Sequence, residues 1–287
     1  MTALPTFFII GAAKAGTTSL HHYLNQHPEI QMSAIKEPNF FSGPANGVPY
    51  PVGRVSRLDQ YERLFDPAYE VRGEASPGYS THPRRQGVPQ RIKGLLPEAK
   101  LVYVVRDPIA RAVSQYQMRV GLGGEDRPPN EALTDLSDPR VSYIPPGLYA
   151  TQLELYLRHF RQDRILVIDQ ADLLGNRRPT LQQVFDFLSV DDAIDSSGFN
   201  DELMSSQQWR AYSPRYRSFR RVVAPALRWL PQNFRQSIRG SVERSLWPPL
   251  EKPEIDDGLH ARLEAFYAED MERFRALTGK KFPSWSI

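Results

Sequence analysis

The feature that most constrains this chain is an apolar run that breaks into a loop of small residues and restarts at once as a helix. It is FFIIGAAKAGTTSL, residues 7 to 20. The four apolar residues from Phe7 to Ile10 read as a buried strand. TTSLHHYLNQH reads as the helix that follows, with Thr17 or Thr18 at its N-terminus. Between them Gly11 and Gly16 stand five residues apart, the separation of the two glycines in a phosphate-binding loop. Small residues let the backbone approach an anion closely, successive N–H groups along Ala15 and Gly16 with the helix N-terminus form an anion nest, and Thr17, Thr18 and Ser19 add hydroxyl donors. The lysine of that motif is expected directly after the second glycine. Here Thr17 occupies that place, and the lysine, Lys14, lies inside the loop.

The rest of the chain sets this loop in an alternating pattern. YEVRGEA, KLVYVV and RILVID read as strands. VPQRIKGLL, IARAVSQYQMRV, LYATQLELYLRHF and TLQQVFDFL read as helices. Near the end Leu259, Leu263, Phe266, Tyr267, Phe274 and Leu277 share one helical face, with Gly279 as the stop. Strand–helix alternation with short connections predicts an α/β fold, a central parallel sheet with helices on both faces. The stretch from Gly121 to Pro146 is rich in Gly, Pro and Asp and reads as a long loop or lid. With 287 residues, 40% hydrophobic and no cysteine, the chain has material for one large core and none for disulfides or thiolate metal sites. The expected organisation is one domain over residues 1–287, with a core of about 5–190 and a helical, arginine-rich part of about 200–287. A net charge of +3 is too mild to imply nucleic acid, and no apolar run is long enough for a signal peptide or a membrane span. A soluble, cytoplasmic protein is the expectation.

A second stretch carries chemistry. VYVVRDPIARAVSQYQ places Arg106 at the end of a buried strand and Ser114 eight residues later on the next helix. Strand C-termini rim the ligand crevice of a doubly wound sheet, so an arginine fork and a hydroxyl there suit a second phosphate. The alternative is a plain ion pair of Arg106 with Asp107 or Asp169. No acidic residue is read as ending a strand to hold Mg²⁺, which argues against a nucleoside triphosphatase and for a less charged group such as sulfuryl.

Taken together these segments resemble the sulfotransferases that use 3′-phosphoadenosine 5′-phosphosulfate (PAPS), in their bacterial and heparan-sulfate branches. GAAKAGTTSLHHYLNQHPEI is similar to the 5′-phosphosulfate loop of that family, and VYVVRDPIARAVSQYQ to its 3′-phosphate segment. KEPNFF and GEASPGYSTHP extend the likeness over roughly residues 6 to 120, and YSPRYRSFRR resembles, more loosely, a basic loop that closes over the nucleotide. The resemblance implies a P-loop-kinase-like fold and direct, metal-free transfer of a sulfuryl group to a hydroxyl, or failing that an amine, of a small-molecule, lipid or carbohydrate acceptor. It implies Lys14 at the leaving oxygen, Arg106 and Ser114 at the 3′-phosphate, and Arg215 in the closing loop.

Three residues compete for the role of base. Glu37 in KEPNFF stands where heparan-type enzymes carry a catalytic glutamate. Phe40 and Phe41 beside it would exclude water and raise its pKa; the plain alternative is a salt bridge with Lys36. Glu74 in GEASPGY would approach the same crevice to orient the acceptor or Lys14, although Ala75 replaces the lysine of the heparan pattern. His82 is the third candidate. No histidine spacing suggests a metal. Two rival readings are a Mg²⁺-dependent phosphotransferase and a non-catalytic anion- or PAPS-binding protein. In the latter the segment Arg210 to Arg244, with Trp209, Tyr212, Tyr216, Trp229 and Trp247, docks on a membrane or an acidic polymer.

Overall fold

The computed structural model describes residues 3–43, 55–134, 143–191 and 250–287. Its centre is a five-stranded sheet. The strands are β1 (Phe7–Gly11), β2 (Ile30–Met32), β3 (Val71–Ala75), β4 (Lys100–Val105) and β5 (Ile165–Asp169), in the order β2-β3-β1-β4-β5. All neighbouring pairs are parallel. Every residue of β1 is buried, and so are Leu101 to Val105 of β4. Consecutive burial of this kind requires cover on both faces of the sheet, as the alternating pattern predicts.

The helices are α1 (Thr17–Leu24), α2 (Leu58–Glu62), α3 (Val88–Leu95), α4 (Pro108–Gly121), α5 (Pro129–Ala132), α6 (Tyr149–Leu157), α7 (Gln170–Gly175), α8 (Arg177–Leu188) and α9 (Asp257–Thr278). Their ends follow local chemistry. Asp107 caps α4 by accepting from the Ala110 N–H at 2.7 Å, and Asp256 caps α9 by accepting from Leu259 at 2.7 Å. Gly279, at φ 67°, ends α9 in the left-handed conformation that glycine adopts without strain. Gly73 has a different reason: a Cβ there would lie 2.1 Å from the Phe7 ring, so only glycine lets β3 sit against β1.

Three readings of the sequence change. β2, the three residues Ile-Gln-Met, is too short to show a period and went unread. On α9 the buried stripe is Leu259, Leu263, Tyr267, Met271 and Phe274, whereas Phe266 is turned outward and 43% exposed. The stretch from Gly121 to Pro146 is tied down at both described ends. Tyr116 donates to the Arg127 carbonyl at 2.8 Å, Glu125 pairs with Arg127 at 2.8 Å, and Tyr143 donates to Glu125 at 3.0 Å. Residues 135–142 of that stretch, and 192–249 with their arginines, lie outside the described residues.

The topology creates the crevice. After β3 the chain crosses over β1 to form β4 on its other side, so the loops leaving β1, β3 and β4 diverge around the C-terminal end of β1. Ligands of open parallel sheets bind where the strand order reverses.

Candidate active site

The loop from β1 to α1 has the expected form. Lys14 at φ 73° and Gly16 at φ 92° are both left-handed, and α1 starts at Thr17. Gly16 is its N-cap and offers no side-chain acceptor. The first-turn N–H groups of an eight-residue helix, led by Thr17 and Thr18, therefore point out of the helix end without a side-chain cap. Ser19, in the same turn, is buried. Ala15 donates to the Ala12 carbonyl at 3.1 Å, and Ala12 to Val104 of β4 at 2.5 Å, which fixes the loop to the neighbouring strand. Gly11 permits the fit: a Cβ there would fall 1.8 Å from Ser80 Oγ.

Cations converge on this loop. The Arg106 guanidinium, at the end of β4, donates to the Lys14 carbonyl at 3.4 Å. Lys36 Nζ donates to Thr18 Oγ1 at 2.9 Å and to Glu37 Oε1 at 3.1 Å. Burial, then the charges of Arg106 and Lys36, bring the Lys14 ammonium down from 10.5 to about 8, and Glu37 opposes them. Arg106 is lowered too, mainly by burial, yet an arginine stays charged there. Its backbone is clamped, since the Tyr149 hydroxyl donates to the Arg106 carbonyl at 2.7 Å. Ser114 is buried on α4, the helix that Arg106 leads into.

The three acidic and basic candidates separate. Glu37 stays with the cations. Its left-handed backbone, φ 59°, is held by its N–H to the Ala75 carbonyl at 3.2 Å and by Asn39 Nδ2 donating to its carbonyl at 2.7 Å. Its side chain is 43% exposed and paired with Lys36. Phe40 and Phe41 do not enclose it as expected. Phe40 stacks on Tyr61 at 4.3 Å, and Phe41 packs edge-on against Phe8 at 5.6 Å. Those aromatics pack instead on Tyr61, the tyrosine that donates to Glu74.

Glu74 is completely buried. Tyr61 donates to its Oε2 at 2.5 Å, while Oε1 has no hydrogen-bond partner among the described residues. Burial pushes its carboxyl up to about 7, held back in part by the hydroxyls of Tyr61, Tyr79 and Ser76. The expectation that Glu74 reaches the crevice is thus corrected: its carboxyl is fully buried and held by Tyr61. His82 has other neighbours. Gln152 of α6 holds its backbone from both sides at 2.9 Å, and the charge acting on its ring is Arg158, which with burial lowers its pKa. Arg215 lies outside the described residues.

Two contributions were missed in the sequence. Lys36 was read only as a partner for Glu37, although its place beside that residue was the available signal. Asp169 does end a strand, contrary to the reading above. Its carboxylate is already engaged by the Ala171 N–H at 3.1 Å, Trp285 Nε1 at 3.0 Å and Ser284 Oγ at 3.4 Å. Among the described residues no cluster of three or more His, Asp or Glu side chains is arranged to hold a metal ion.

Residues 4–275 match the family model described as a sulfotransferase domain. The chain is 29% identical over 285 residues to human heparan sulfate glucosamine 3-O-sulfotransferase 3B1, covering 97% of itself and 64% of that protein. Over 65% of its length it is 29% identical to bovine bifunctional heparan sulfate N-deacetylase/N-sulfotransferase 2, of which it spans 22%. The crystal structure of a sulfotransferase from Alicyclobacillus acidocaldarius superposes with a TM-score of 0.73 at 26% identity, over 99% of this chain and all of that one.

Proposed function

The chain belongs to the sulfotransferase-domain family, and on that premise we propose that it moves a sulfuryl group from PAPS to an acceptor hydroxyl. The observation that carries this reading is the convergence of Lys14, Lys36 and Arg106 on an uncapped helix N-terminus, with Glu37 the carboxylate in their midst. Such a site fits an anion with two charged ends on one nucleoside. The first-turn amides and hydroxyls of α1 take the 5′-phosphosulfate, and Arg106 with Ser114 takes the 3′-phosphate.

The roles follow from where charge moves. As the acceptor oxygen bonds to sulfur, the bond from sulfur to the bridging oxygen breaks, and its electron pair stays on the nucleotide's 5′-phosphate. Lys14 stabilises that oxygen, where negative charge grows most. Glu37 takes the acceptor proton; its position beside Lys14 and its exposure to the crevice support it over Glu74 and His82. Glu74 supports the loop that carries Glu37. Asn39 N–H donates to Ser76 Oγ at 3.2 Å, Phe41 N–H to Tyr79 at 3.1 Å, and Phe40 stacks on the tyrosine that Glu74 holds.

For the acceptor, glycoside and saccharide hydroxyls are the first class to test. The named relatives support this, and Ala75 sets the chain apart from the heparan pattern. The deciding experiment is an acceptor screen with labelled PAPS, read by mass spectrometry for the gain of one sulfo group. It is run with and without a chelator, which sulfuryl transfer by these residues tolerates. Turnover that requires Mg²⁺, or PAPS binding with no transfer to any acceptor class, would count against the proposal.

A further inference from the structure

Two carboxylates flank Arg106 by sequence and strand register: Asp107 follows it in the chain, and Asp169 ends the adjacent strand opposite Val105. An arginine so placed would ordinarily pair with one of them, and a paired guanidinium is a poorer phosphate ligand. Here both carboxylates are taken. Asp107 Oδ2 accepts from the Ser286 N–H and from Ser286 Oγ, each at 2.7 Å, while Oδ1 caps α4 through Ala110 at 2.7 Å. Asp169 is held by Trp285 Nε1 and Ser284 Oγ on one oxygen and by Ala171 N–H on the other. Among the described residues, the guanidinium of Arg106 makes the long bond to the Lys14 carbonyl and none to either carboxylate.

The segment that does this is anchored by its tryptophan. Trp285 stacks on Phe282 at 4.2 Å and packs against Tyr149 at 5.6 Å, the same tyrosine that clamps the Arg106 carbonyl. A single short stretch thus packs on the tyrosine that holds the Arg106 carbonyl and engages the oxygens of both carboxylates.

We propose that Ser284–Ser286 is a positioning strap that keeps Arg106 available to the 3′-phosphate of the donor nucleotide by occupying Asp107 and Asp169. This rests on the reading that Arg106 binds that phosphate. Asp107 carries the coupling: freed from Ser286, its carboxylate can turn to the guanidinium beside it.

The test compares binding of adenosine 3′,5′-bisphosphate and adenosine 5′-monophosphate by calorimetry, since the two differ only in the 3′-phosphate. Ser286→Pro removes both donors to Asp107 and should reduce the preference for the bisphosphate about tenfold, with binding of the monophosphate unchanged. Adding Asp107→Asn should restore the preference, because an asparagine still caps α4 but does not pair with a guanidinium. A purely structural role for the strap would weaken both nucleotides equally and would not respond to Asp107→Asn; that result overturns the proposal. Should Ser286→Pro fail to fold, Ser286→Ala removes the hydroxyl donor to Asp107 and leaves the rest of the strap in place. A preference equal to that of the unaltered protein would then refute the strap. Arg106→Ala is the control for the underlying reading. If it leaves the preference for the bisphosphate intact, Arg106 itself has been misassigned and the strap falls with it; if it abolishes the preference while Ser286→Pro does not, only the strap falls.

Discussion

Lys14→Met should make the protein more stable and nearly inactive, and the two effects have one cause. Folding brings the Lys14 ammonium from 10.5 to about 8, through burial and the charges of Arg106 and Lys36. At 1.36 kcal/mol per pH unit this opposes folding by about 3 kcal/mol. The solvent that a half-buried group still meets reduces the figure to about 2 kcal/mol. The sign is fixed by proton counting. Below pH 8 the folded and unfolded chains both carry the proton, so the penalty is fully present. Between pH 8 and 10.5 only the unfolded chain keeps it, and stability rises with pH until the penalty is gone. Methionine has the same reach without the charge. In urea denaturation Lys14→Met should therefore exceed the unaltered protein by about 2 kcal/mol at pH 7, with the difference closing toward pH 10. Adenosine 3′,5′-bisphosphate should reverse the order, because it stabilises the charged loop and adds little to the mutant. A mutant that is equally or less stable at pH 7 without nucleotide would refute the claim that this lysine is held at a cost.

Further outcomes are specific to single residues. Glu37→Gln keeps size and hydrogen bonding, so PAPS affinity should stay within about twofold while turnover falls by roughly two to four orders of magnitude; normal turnover there, with loss in a His82 variant, would transfer the role to His82. Glu74→Gln keeps an acceptor for Tyr61 and removes a carboxyl that burial raises from 4.5 to about 7. Because the unfolded chain releases that proton first, the unaltered protein should lose stability between pH 4.5 and 7, by about 3 kcal/mol, and the glutamine variant should not; parallel pH profiles would show that Glu74 is not held neutral. Gly11→Ala places a Cβ 1.8 Å from Ser80 Oγ. It should abolish nucleotide binding, and Ser80→Gly in the same chain should recover part of it; unimpaired binding by the single variant would mean that the loop is not fixed against Ser80.

The legible parts of the fold were those written in consecutive residues. β1, its loop and β4 are continuous apolar runs with a break between them, and such runs keep their meaning wherever they fold. β2 has three residues and no period, so its place at the sheet edge came from pairing with β3. The site was readable for the same reason where one segment carries it, as with Lys14, Gly16 and Arg106. It was misread where two segments meet. Phe40 and Phe41 follow Glu37 in the chain, yet the left-handed backbone at Glu37 and Asn39 turns them onto Tyr61 and Phe8, and the desolvation assigned to Glu37 falls on Glu74. Nothing local to Ser284, Trp285 or Ser286 announces contact with residues more than a hundred positions away.

These placements share a logic of charge. A crevice that gathers Lys14, Lys36 and Arg106 for an anionic donor would neutralise itself if nearby carboxylates were free to pair with them. Four carboxylates lie on or beside the strand ends, and each is handled differently. Asp107 is divided between a helix cap and Ser286. Asp169 is divided between a helix cap and Trp285. Glu74 is fully buried and held by Tyr61, where the neutral acid is favoured as pH falls below about 7. Glu37 is left facing the cations, paired with the lysine that also holds Thr18. Glu37 is the carboxylate placed to meet an acceptor beside those cations, and a neutral Glu74 can brace the loop beneath without cancelling the field above. The positive potential that draws the donor in is therefore maintained as much by what is done to three acids as by the presence of three bases.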